Sequence, residues 1–208
     1  MARMTRAESR VRTREQVIAA AADVFTQKGF HGASLEEIAE SAGYSRGAVY
    51  SNFSDKTELF LAVRDERMHR RTQQVGELLA NAATPHDFFE SLRKLNEREP
   101  RDHVKKWYML GLELWLYAMR NPQVRPRLAE RQQANRAALT HAIEMLYASL
   151  DAQPPIPADQ LAIIVEAIDV GVLYQEFLDP AAVPAEFIIQ ALEFLLEAGV
   201  ALGKTPQP

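Results

Sequence analysis

The chain has 208 residues, 47% of them apolar and 25% charged, the balance of a globular protein, which excludes wholesale disorder. No apolar run approaches the ~20 residues a membrane-spanning helix needs, and zero cysteines exclude disulfides, thiolate catalysis and cysteine-held metals. The net charge of −4 is unevenly spread: residues 1–14 hold five arginines against Glu8, whereas residues 145–208 hold nine acids against Lys204.

The basic start runs into no apolar stretch ahead of a cleavage site, so no secretory signal is expected and a cytoplasmic location is. Val17, Ile18, Ala21, Ala22, Val24 and Phe25 then form an apolar stripe at helical spacing, with Gly29 placed to close that helix. Ser34-Leu35-Glu36-Glu37 has the form of a capping box for a short second helix ending at Ala42-Gly43, and Ser45 can cap a third. Asp55 and Glu58 repeat the start signal for a fourth, over 55–81. Thr84-Pro85 opens a fifth, stopped by Pro100, and a sixth over 102–120 is rich in aromatic residues and broken by Asn121-Pro122. The seventh, over 123–150, starts polar and turns apolar. Pro154-Pro155-Ile156-Pro157 is a loop, and the last two helices span 158–178 and 184–202. Strand signals are missing, with no sustained period-two alternation and no Asn-Gly or Asp-Gly hairpin turn. An all-α fold of about nine helices is expected.

Residues 34–53 are the most informative. Two short helices joined by a glycine-containing turn make the helix-turn-helix pattern, with Leu35, Ile38, Ala39, Val49 and Phe53 at the inward positions. The second helix would lie in a major groove and present Ser45, Arg46, Gly47, Ala48, Tyr50, Ser51 and Asn52. Arg46 could bind guanine in bidentate fashion or clamp a phosphate, Asn52 could read adenine, and Ala48 could touch a thymine methyl. Ser34 could donate to phosphate, and Arg12 and Arg14 belong to a basic arm, Arg3 to Arg14, that adds local positive potential. A plain αα-hairpin in a small bundle is the alternative.

Residues 13–60 resemble the DNA-binding domain of the TetR family of bacterial transcriptional repressors. Three stretches carry the resemblance: Ala22-x-x-Phe25-x-x-x-Gly29-Phe30, Ile38-Ala39-x-x-Ala42-Gly43-x-Ser45-x-Gly47, and Val49-Tyr50-x-x-Phe53-x-x-Lys56-x-x-Leu59. The resemblance implies that Tyr50 and Lys56 hold the DNA backbone, and that a helix-turn-helix domain over 1–56 precedes an effector-binding and dimerisation domain over 57–208. One departure is Ser51, where many members carry a bulkier aromatic or basic residue. Direct base readout is then expected to be sparse, with the arginine arm and DNA shape contributing more.

The last two helices are too apolar for a solvent-facing surface. Leu161, Ile164, Val165, Ile168 and Val172 on one, and Phe187, Ile188, Ala191 and Leu195 on the other, are expected to pair across a two-fold axis in a homodimer. Such a dimer would set two recognition helices roughly 34–36 Å apart on a near-palindrome of double-stranded DNA. Internal core is the competing use of the same residues. Trp107, Tyr108, Leu110, Leu114 and Trp115, with Glu113 interrupting them, are expected around a pocket for a small apolar or amphipathic effector that releases the DNA; aromatic core is the competing reading. No catalytic residue, metal site or cofactor is expected. Glu66-x-x-His69 matches half of a di-iron motif and has no second copy, and H-E-x-x-H, P-loop, G-x-S-x-G and dinucleotide signatures are absent. A ligand-free DNA-binding protein and, further off, a helical-bundle enzyme are the alternatives.

Overall fold

A computed structural model of the chain describes residues 5–184 and 186–203. Among these residues there are nine helices and no strand: α1 (Arg6–Gly32), α2 (Leu35–Ala42), α3 (Arg46–Tyr50), α4 (Lys56–Asn81), α5 (Pro85–Glu97), α6 (Arg101–Arg120), α7 (Arg125–Ser149), α8 (Ala158–Leu178) and α9 (Phe187–Gly203). None of them is long and apolar enough to cross a membrane. The basic stretch read as an arm is helical from Arg6 onward, because Thr5 and Glu8 form a reciprocal capping box. Arg3 lies outside the described residues.

The chain forms two compact units, one of residues up to Met68 with Asp102–Leu128, the other of His69–Arg101 with the chain from Ala129 onward. This division differs from the 56/57 boundary expected from the sequence. Leu59, Phe60, Leu61, Ala62 and Val63 at the start of α4 are all buried, as are Leu110 and Leu114 of α6, and all seven join the core beneath the first three helices. A helix turn that is apolar all round must be enclosed all round, which keeps the start of α4 in the first unit.

Within that unit, Phe60 sits between two other phenylalanines, with ring centroids 4.9 Å from Phe25 and 4.9 Å from Phe30. Val17, Ala21, Ile38, Val49 and Phe53 complete the floor on which α2 and α3 rest. Gly29 interrupts α1 at φ 71°, and Gly43 closes α2 at φ 72°, ψ 24°. Both are left-handed conformations that a side chain resists.

The second unit packs α5 against α7, α8 and α9. Thr84 and Asp87 cap α5 reciprocally, Pro85 opens it, and Phe88, Phe89 and Leu92 form its buried face. These meet Ile143 and Tyr147 of α7, Leu161 and Ala162 of α8, and Ile189 and Leu196 of α9. Arg136 pairs with Glu166 at 2.9 Å, and Arg93 reaches Glu193 at 3.3 Å, tying α7 to α8 and α5 to α9. The Tyr147 hydroxyl fills the space a side chain at Gly199 would need.

Candidate nucleic-acid interface

The helix-turn-helix is built from three serine or glycine decisions. Ser34 Oγ accepts the Glu37 N–H at 3.1 Å to start α2, Gly43 makes the turn, and Ser45 Oγ accepts the Ala48 N–H at 3.3 Å to start α3. Leu35, Ile38, Ala39, Val49 and Phe53 are buried, as expected. Ser45, Arg46, Gly47, Tyr50 and Ser51 are exposed along α3 and its exit, while Ala48 and Asn52 are half-buried.

Arg46 is held in a defined pose. Its Nη2 lies 2.8 Å from Glu36, its guanidinium sits 5.4 Å from the Tyr50 ring centroid, and it donates to the Tyr50 hydroxyl at 3.4 Å. The Tyr50 hydroxyl, and after it the Glu36 carboxylate, push the guanidinium further up from its ordinary value. The exit of α3 turns its polar groups inward: Ser51 Oγ and Asn52 Nδ2 both donate to the Ala48 carbonyl, at 2.8 and 2.9 Å. Asn52, expected at adenine, here closes the C-terminal end of α3, because the last carbonyls of a helix lack intrahelical donors.

Arg14, expected at phosphate, is engaged within the protein. It stacks on Phe53 and donates to the Asn52 carbonyl, and Arg10 donates to the Ser51 carbonyl at 3.2 Å, so both brace α3 from α1. Arg12 stays exposed. Sequence reasoning missed this bracing, although the i, i+4 spacing of Arg10 and Arg14 on one helix was its visible signal. Lys56 donates to the Ala33 carbonyl at 3.0 Å and lies 4.7 Å from the Phe30 ring centroid; burial pushes its ammonium down from the usual lysine value.

The residues expected around an effector pocket have several different surroundings. Leu110 and Leu114 are core, Glu113 accepts the Phe30 N–H, and Tyr108 is half-buried. The Trp107 ring lies under Arg67 at 4.7 Å with its N–H donated to His103, and Trp115 is 49% exposed. Aromatic content marks large area to bury and does not say against which neighbour. A cavity of about 200 Å³ lies in the second unit, lined by residues of α4, α5, α7, α8 and α9 that include Val75, Phe88, Ile143, Val165 and Leu192. No acidic side chain lines it, and Arg71 is its single charged one. Among the described residues, no group of three or more histidines or carboxylates is placed to hold a metal.

The residues expected at a dimer interface divide into three sets. Leu161, Val165 and Leu195 point into the cavity, and Ile168, Val172, Ile188 and Ala191 are half-buried. Ile164 and Phe187 are exposed, joined by Ile163, Tyr174, Leu178 and Phe194. An apolar helix gives no period by which sequence could separate its inner face from its outer one.

Two family models match the chain: that of bacterial regulatory proteins of the tetR family over residues 17–63, and that of the C-terminal part of BetI-type transcriptional repressors over residues 95–201, about half the chain. The chain is 46% identical over 69 residues to the HTH-type transcriptional regulator TtgW of Pseudomonas putida, a match covering 33% of this chain and 51% of that one. It therefore spans about half the length of this curated relative. Its fold is similar to that of a TetR-family regulator from Rhodococcus sp., with a TM-score of 0.70 at 20% identity, covering 88% of this chain and 98% of the other. It is also similar to SmeT, solved as a complex with triclosan, with a TM-score of 0.62 at 27% identity, covering 94% and 98% of the two chains.

Proposed function

The chain belongs to the TetR family of bacterial regulatory proteins, and from that premise we propose that it is a transcriptional repressor that binds a near-palindromic operator as a homodimer and lets go when a small apolar molecule enters its cavity. One observation carries the DNA-binding part. The short helix α3, with its cap and exit, buries Val49 and Phe53 and offers Ser45, Arg46, Gly47 and Tyr50 to solvent on a braced base. Those side chains can reach base edges and phosphates without disturbing the core. Lys56, at the start of α4, adds a cation beside them. It acts in the cytoplasm, where its DNA is.

The cavity supplies the effector site. Its lining is apolar apart from Arg71, which suits a ligand with a hydrophobic body and no positive charge. The triclosan held by SmeT belongs to that chemical class. Release is a coupling between two sites, so effector and operator must weaken each other by the same factor. The exposed apolar faces of α8 and α9, with Phe187 and Phe194, supply the dimer contact.

The test is selection of duplexes from a random library at low salt. The wild-type protein is expected to enrich a near-palindrome, and Arg46→Ala and Lys56→Ala each to weaken binding by about 1–3 kcal/mol. A protein that enriches no sequence and binds no duplex at low salt overturns the reading.

A further inference from the structure

The break in α1 at Gly29 has a neighbour from much later in the chain. A Cβ at Gly29 would stand 2.6 Å from Oε1 of Glu113 on α6, and the other carboxylate oxygen, Oε2, accepts the Phe30 N–H at 2.7 Å. Glycine is required at this position for its left-handed backbone, and its missing Cβ also leaves room for the carboxylate to lie against the chain. The Tyr117 ring, one turn along α6, packs on Phe30 with centroids 5.0 Å apart. The same corner seats Lys56, which lies over the Phe30 ring at 4.7 Å and donates to the Ala33 carbonyl at 3.0 Å.

We propose that Glu113 is a positioning residue for DNA binding: by fixing the backbone at Gly29–Phe30 it sets the surface on which Lys56 is aimed at a phosphate. The inference rests on the reading above, in which Lys56 meets the DNA backbone. Glu113 touches no DNA itself. Its carboxylate reaches the corner because α6 packs in the first unit through Leu110, about one turn before it, and Leu114, the residue after it.

The test uses the full-length protein and the duplex that the wild type selects. Glu113→Met keeps the length of the side chain and removes the acceptor; Glu113→Asp keeps the carboxylate and shortens its reach. Each is expected to lower affinity about tenfold, the scale of one lost hydrogen bond to a charged group. Each is also expected to reduce the slope of log affinity against log salt by about one phosphate contact, as Lys56→Ala does. Glu113→Met combined with Lys56→Ala should bind no more weakly than Lys56→Ala alone. Glu113→Gln, which can still accept the Phe30 N–H, should stay near wild type.

Folded Met or Asp variants with wild-type affinity and slope overturn the proposal. So do losses that add to that of Lys56→Ala with the slope unchanged, and so does a Gln variant as weak as the Met one. If Glu113→Met does not fold, the Asp and Gln variants decide between the same outcomes. A wild type that selects no duplex defeats the DNA-binding reading instead, which keeps the two failures apart.

Discussion

The Arg14 guanidinium lies over the Phe53 ring, 4.4 Å from its centroid, and its Nη1 donates to the neighbouring Asn52 carbonyl at 3.1 Å. A half-buried cation on an aromatic face, with a carbonyl at its edge, is a two-point brace between α1 and the end of α3. Arg14→Ala is expected to cost about 1–3 kcal/mol of stability, from the lost cation–π contact and hydrogen bond together. Arg14→Lys, which cannot lie flat against the ring, should recover only part of it. Urea denaturation checks both, and an Arg14→Ala protein as stable as wild type would show that the brace carries no energy.

Acid should loosen the start of α4. The Ser54 hydroxyl and amide hold the Glu58 carboxyl below its ordinary value of 4.5, the Ser54 N–H donating to the carboxylate at 2.6 Å. A carboxyl depressed in the folded state adds stability that is fully present above the unfolded value and disappears as pH falls through the folded one. Glu58→Gln should therefore be less stable than wild type at pH 7, and the gap should close once pH drops below the folded value. Denaturation midpoints at several pH values measure this; a gap that is constant with pH would mean the carboxylate is not responsible.

Filling the cavity should separate its ligand from the DNA. Ala142 lines the cavity of about 200 Å³, and Ala142→Phe would occupy much of it. Overpacking is expected to cost about 1–3 kcal/mol of stability. A small apolar compound found by thermal-shift screening to bind the wild type should then bind at least about tenfold more weakly by calorimetry, while operator affinity holds. Retained affinity for that compound would place the binding site elsewhere.

Phe194 is 68% exposed on α9. Phe194→Glu would bury a charge in the proposed two-fold contact, and it should convert the dimer into a 23.4 kDa monomer in sedimentation at micromolar concentration, with its helical circular dichroism intact. Operator affinity should fall with it. A dimer that survives the substitution would move the contact to another face.

Much of the fold is visible in the sequence because helix ends announce themselves. Ser34, Ser45 and Thr84 cap where their hydroxyls suggest, and α8 spans the expected 158–178. The burial of Val49 and Phe53 follows from spacing alone. The cavity does not. Leu139, Ile143 and Tyr147 line one face of α7, but α7 is too evenly mixed for that face to stand out. Phe88, Phe89 and Leu92 mark a buried face on α5, but nothing in that helix says which helices close over it. On α6 the aromatic cluster offers a large area to bury, yet Glu113 and Leu114 are claimed by the first unit, an outcome set by partners dozens of residues away. Periodicity reports that a face is buried and is silent about the neighbour.

Both tryptophans of the protein, Trp107 and Trp115, stand on α6, the first beneath the Arg67 guanidinium and the second half open to solvent. Fluorescence excited selectively at the indole band therefore originates from a single helix, the one bearing the Glu113 carboxylate. Emission colour and quenching by iodide can follow that helix during a titration with no dye or label attached.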